Sequence, residues 1–69
     1  MYLVSIKGVS GEEKFEADEF FATKKEVVRF IAKSVGETQA AIADEIHAKT
    51  DSTLYRDSRG WRAQVWYSA

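Results

Sequence analysis

Asp57, Ser58, Arg59 and Gly60 stand between two runs rich in β-branched and aromatic residues, and no other feature restricts the fold as much. Asp at the first position and Gly at the fourth is the pattern of a type I turn. Thr53, Leu54, Tyr55 and Arg56 precede it, and residues 61–67, with Trp61, Val65, Trp66 and Tyr67, follow. Both flanks favour strand, so a β-hairpin is expected here. A lone hairpin is not stable in water. The rest of the chain must therefore supply its partners.

The first residues supply one. Tyr2, Val4 and Ile6 alternate with Leu3, Ser5 and Lys7, a period-two pattern that predicts a half-buried strand. Gly8 and Gly11 bracket an expected turn, and a second strand is expected from about residue 13 to 20. On it Phe15 and Ala17 should face the core, with Lys14, Glu16 and Asp18 in water. Phe20 and Phe21 are adjacent and cannot both point inward on a regular strand, so a bulge or the entry into a helix is expected there.

Between the two hairpins the period changes. Thr23 followed by Glu26 is a capping box. Behind it Val27, Val28, Phe30, Ile31 and Val35 form an apolar stripe at helical spacing. Gly36 fits the left-handed residue that closes a helix. Thr38 can cap a second helix over about 39–49, with Ile42, Ala43 and Ile46 as its apolar side. The reading is one α+β domain over residues 1–69: a two-layer ββααββ fold, in which an antiparallel sheet of two hairpins carries a helical pair on one face.

With no cysteine, neither a disulfide framework nor a thiolate zinc site is available to this 69-residue chain. Its stability must come from apolar burial, which nine aromatic residues can supply. A homodimer would bury more, so monomer and homodimer both stay open. There is no signal-peptide pattern at the start and no apolar run near the ~20 residues needed to span a bilayer. The expected setting is the cytoplasm, with no membrane partner.

Catalysis finds little support. His47, the one histidine, lies near Asp44 and Asp51, but no serine sits in a nucleophile elbow. No phosphate-binding glycine loop is present. Two layers of this size leave little room for a pocket of ~300 Å³ or more. No catalytic residue, metal or cofactor is expected.

Surface recognition is the remaining route. On the last strand Trp61, Ala63, Val65 and Tyr67 share the side expected to meet the helices, joined by Leu54. Arg62, Gln64 and Trp66 share the other, with Tyr55 expected across from Arg62. Trp, Tyr and Arg dominate binding hot spots. Tyr55, Arg62, Gln64 and Trp66 are therefore the candidate contact residues.

Charge adds two weaker surfaces. Residues 1–22 carry two lysines against five acids, residues 23–46 balance, and residues 47–69 carry four basic groups against two acids. Glu16 and Asp18 mark the acidic end, while Lys25, Arg29 and Lys33 make a basic stripe on the first helix. Each could steer a charged partner. The expected activity is protein–protein contact by a small regulator or inhibitor of a larger complex, a phage- or mobile-element-encoded inhibitor being one form.

Nucleic-acid binding is the alternative, through the Tyr55, Arg62 and Trp66 face or through a helix-turn-helix over 38–57. In the second case residues 38–46 resemble the first helix of that motif. A recognition helix from Thr53 would then present Tyr55, Arg56 and Arg59 to a major groove. His47 replaces the usual turn glycine, however, and the second helix would run into the turn at Asp57. A net charge of −1 also lacks the basic footprint of such binders.

Overall fold

The computed structural model describes residues 1–46 and 52–68. Strands β1 (Tyr2–Ser10) and β2 (Glu13–Phe21) are followed by helices α1 (Lys24–Val35) and α2 (Gln39–Glu45). Strands β3 (Ser52–Arg56) and β4 (Arg62–Tyr67) complete the ββααββ order. One antiparallel sheet holds all four strands in the order β2-β1-β4-β3. The two hairpins therefore join through β1 and β4, the first and last strands. At that seam Met1 and Ser68 exchange backbone hydrogen bonds of 2.7 and 2.9 Å.

Both helices lie on one side of the sheet, and the reason is local. Thr23 accepts the Glu26 N–H at 3.2 Å and donates to its carboxylate, which starts α1. Gly36, with φ 77°, ends it. The side of α1 that this frame turns to the sheet carries Val27, Val28, Ile31, Ala32 and Val35, all buried. Thr38 caps α2 through the Ala41 N–H. The second helix is shorter than the expected 39–49: Ile46 is already extended, at φ −99° and ψ 115°, with its side chain in the core. Residues 47–49 of that expected span lie outside the described residues.

The core is continuous across the layers. Val4 and Ile6 from β1, Ala63 and Val65 from β4, and Ile31, Ile42 and Ile46 from the helical side are all less than 5% exposed. Each large aliphatic side chain so buried contributes on the order of 1.5–3 kcal/mol. Among the described residues no charged side chain is buried, and the polar groups in the core are those of Tyr2, Tyr55 and Trp61. Hydrophobic packing dominates this interior.

The first hairpin differs from expectation in a way that matters. β1 does not turn at Gly8 but continues to Ser10, leaving Gly11 and Glu12 as the loop. Gly11, at φ 66°, takes the first central position, as a type II′ turn requires. Gly8 serves a close approach instead. A Cβ built on it would lie 2.1 Å from Cε3 of Trp61, so the indole ring rests on bare backbone. Phe15 flanks the same ring, with centroids 5.8 Å apart. The Phe20 and Phe21 pair needs neither bulge nor helix entry. β2 stays regular, Phe21 packs on Phe30 in the helical layer, and Phe20 is left outside at 67% exposure.

The second hairpin closes as a three-residue loop. Asp57 and Trp61 pair through the Asp57 N–H and the Trp61 carbonyl at 3.1 Å, and Gly60 takes φ 96°. Asp57 organises the loop, its Oδ1 accepting the Arg59 N–H at 2.9 Å and the Trp61 N–H at 3.1 Å. Arg59 then reaches back to α1. Its guanidinium donates to the Val35 carbonyl, to Asp57 at 3.0 Å and to Glu37 at 3.4 Å. A cation on the last carbonyls of a helix is favourably placed. The loop is thereby clasped to the end of α1.

Candidate open-face binding site

Among the described residues nothing covers the side of the sheet away from the helices. The strand register sorts its side chains into three rows across all four strands, with Lys14 opposite Val9 beyond them. Directly opposed residues on neighbouring strands share a face. The first row runs Phe20, Leu3, Trp66, Ser52, and the second Asp18, Ser5, Gln64, Leu54. The third runs Glu16, Lys7, Arg62, Arg56. The face thus passes from apolar at one end, through polar, to cationic at the other. Phe20 at 67% exposure, and Trp66 and Leu54 at 42% each, are large apolar side chains left in water.

Trp66 separates two surface grooves. One, of about 520 Å³, is lined by Met1, Leu3, Phe20, Trp66 and Ser68. The other, of about 260 Å³, is lined by Ser5, Lys7, Leu54, Arg62, Gln64 and Trp66. The larger exceeds the little room that two layers were expected to leave, because it lies on the outside of the sheet and not between the layers.

Electrostatics within the third row is unusual. Lys7 stands opposite Arg62, and Arg62 opposite Arg56. Three cations thus occupy adjacent strands. Lys7 reaches Glu16 at 3.4 Å, an exposed pair. Neither Arg56 nor Arg62 forms an ion pair among the described residues. Like charges placed directly opposite destabilise a sheet.

Of the candidate contact residues, Arg62, Gln64 and Trp66 come together as expected. Tyr55 does not. It pairs with Ala63, not Arg62, and is buried on the helical side at 6% exposure, its hydroxyl donating to Asp57 at 3.4 Å. Burial raises the Tyr55 pKa, with the neighbouring carboxylates of Asp57 and Glu37 adding to the shift. Leu54 takes the outer place, also the reverse of expectation. The physical reason is register: a one-residue slip exchanges the two faces of a strand.

Glu16 and Asp18 do lie on the open face, on its outer strand, so the acidic candidates border the site. Lys25, Arg29 and Lys33 are exposed on α1, in the other layer, and form no part of it. The recognition helix expected from Thr53 is strand β3, and Arg59 is engaged in the clasp on α1. The helix-turn-helix reading falls on that finding. His47 and Asp51 lie outside the described residues. Sequence reasoning missed Leu3, Lys7, Phe20, Leu54 and Arg56 as members of the site. The alternation along β1 and β2 could have assigned Leu3, Lys7 and Phe20.

Partial burial of Asp57 works to raise its pKa. The Trp61 N–H, the Arg59 guanidinium and the Arg59 N–H outweigh it, and the carboxyl is held below its ordinary value. That shift belongs to the clasp, which fixes the end of β4 and hence the position of Arg62. Among the described residues no three acidic or histidine side chains gather as metal ligands. No described helix is long and apolar enough to cross a membrane. Compared with known proteins, the chain matches no family model, no curated protein and no solved structure.

Proposed function

We propose that the protein is a non-enzymatic, cytoplasmic binding module that docks a protein partner on its open sheet face, as a regulator or inhibitor of a larger complex. One observation carries this reading. A sheet whose central positions are packed under the helices on one side leaves Phe20, Leu54 and Trp66 exposed on the other, along two grooves. Side chains of this size next to arginine are what interface hot spots are made of. Core and recognition surface are separated by the thickness of one sheet, so the surface can be polar or apolar without affecting the fold.

A photo-cross-linking residue at position 64, in the middle of the face, tests the reading. It should capture a discrete protein from nuclease-treated host lysate, whereas the same residue at the exposed Glu45 position in α2 should not. Trp66→Ala should abolish capture with the fold intact. Equal capture by the wild-type and Trp66→Ala faces would remove the proposal.

A second reading, nucleic-acid binding, draws on the cationic row beside Trp66, since stacking and phosphate contacts act together on single strands. Gel shifts at two salt concentrations with single-stranded DNA, duplex DNA and RNA separate the two. A salt-sensitive shift lost in Arg62→Ala would favour it.

A further inference from the structure

We propose that the partner segment received by the open face is an acidic, amphipathic stretch of polypeptide: its carboxylates meet Arg56 and Arg62, and its apolar side chains enter the groove of Met1, Leu3, Phe20 and Trp66. The inference rests on the docking role proposed above and specifies the chemistry of what docks.

The argument begins with what sheet stability cannot explain. Lys7, Arg62 and Arg56 are opposed across three strands, a placement that weakens pairing. Among the described residues Glu16 on β2 pairs with Lys7 and no other cation. Two guanidiniums are therefore left side by side with no carboxylate among the described residues. Guanidinium forks bind planar carboxylates in a bidentate manner, with directional strength that a lysine lacks. An incoming carboxylate would turn the repulsion between Arg56 and Arg62 into shared attraction.

The other end of the face restricts the ligand further. The groove at Met1, Leu3, Phe20 and Trp66 offers Ser68 as its one polar lining residue. Leu3 and Lys7 are four residues apart on β1, as are Trp66 and Arg62 on β4, so the apolar and cationic rows lie about 13 Å apart. The ligand must be anionic at one end and apolar at the other. A polynucleotide fits this poorly, because its phosphates recur along the whole strand and a basic groove must track them. Here the side-chain cations of the described residues gather at one end of the face, with Lys14 opposite Val9 one step beyond the row, and Asp18 and Glu16 stand on the same face. A polypeptide can place its charges at one end. In an extended segment the two features would be about four residues apart, and in a helix about nine.

Panning a phage-displayed library of random 16-residue peptides against the full chain tests the proposal. Enriched sequences should combine Asp or Glu with an aromatic or Leu side chain, and a synthetic peptide of the leading sequence should bind. Its affinity should fall at least tenfold in the Arg56→Glu, Arg62→Glu double variant and fall in Trp66→Ala. Panning against the double variant should select basic peptides instead. An empty selection overturns the proposal, as does one without acidic bias, or a peptide that binds the double variant equally well. A dT20 oligonucleotide whose binding is lost in the double variant, with no peptide enriched, would assign the cationic row to nucleic acid. Thermal melting of each variant establishes that the fold is retained. Repeating the position-64 cross-link in the double variant separates the two levels. A cross-link that persists keeps a protein on this face but removes the acidic segment, whereas one absent from the wild type removes the docking role itself.

Discussion

The two faces of the sheet are built from alternate residues of the same four strands, yet they follow different rules. On the helical face the central positions answer to packing: Val4, Ile6 and Ala63 have no exposed surface, and Gly8 is bare to admit Trp61, with Glu19, Phe15 and Tyr67 exposed at the margins. On the open face the residues one step away carry charge at one end and uncovered aromatic rings at the other. Nothing in the fold demands an Arg opposite an Arg, or a Phe with two-thirds of its surface in water. Positions that the fold does not need are where function is to be sought. Substitution should reproduce the division.

The largest effect is expected where the helical face has no slack. Gly8→Val places a branched side chain where the indole of Trp61 already lies, with the first added carbon 2.1 Å from the ring. The indole must leave, with loss of its packing on Phe15 as well. The expected destabilisation is about 3–5 kcal/mol, comparable to truncating a buried tryptophan. The adjacent Val9 belongs to the open face and is 49% exposed. Val9→Thr should stay within about 0.5 kcal/mol. Urea unfolding of the two variants checks the contrast, and similar losses in both would refute the division of the faces.

That same glycine shows which parts of the structure could be read from the residues alone. Alternation in β1, the capping threonines, Gly36 and the Asp57 turn are local signals, resolved within a few positions, and the ββααββ order follows from them. Gly8 is different. A glycine three positions before another looks like a turn until Trp61, fifty-three positions later, is known to need the space. Tyr55 lies between these cases. Pairing Asp57 with Trp61 in the turn sets 56 opposite 62 and 55 opposite 63, so counting across the loop would have placed Tyr55 inward. Setting Tyr55 across from Arg62 instead put the strand one residue out of register. The site was legible as far as β4 reached, in Arg62, Gln64 and Trp66. For its other half, alternation could have put Leu3, Lys7 and Phe20 on one face of their strands, but that β1 lies beside β4 depends on long-range pairing, which no local pattern encodes.

A middle-sized effect should come from the clasp that joins the hairpin loop to α1. Asn at position 57 can still accept the Arg59 and Trp61 N–H groups but cannot offer a second oxygen to the Arg59 guanidinium. Asp57→Asn should therefore lose about 1–2 kcal/mol at neutral pH. The pH dependence carries the sign. Because the folded-state pKa of Asp57 is depressed, its contribution is present above the ordinary carboxylate value of about 3.9 and fades as pH falls through the folded value. Wild type and Asp57→Asn should thus converge in stability in acid. A gap that stays constant from neutral to acid pH would mean that the carboxylate charge plays no part in the clasp.

The smallest expected change bears most directly on the comparison between the faces. Arg56→Glu puts opposite charges across from each other at the Arg62 pair, in place of like ones. Cross-strand pairs of this kind shift stability by roughly 0.2–1 kcal/mol, and here the shift should be a gain. For a domain of this size, that corresponds to a rise in Tm of a few degrees, visible by thermal melting. A residue whose replacement stabilises the fold is retained for something other than the fold, and loss of partner binding in the same variant would identify what. If Arg56→Glu instead lowered Tm, Arg56 would belong to the structural half of the molecule. The cationic row would then need no ligand to explain it.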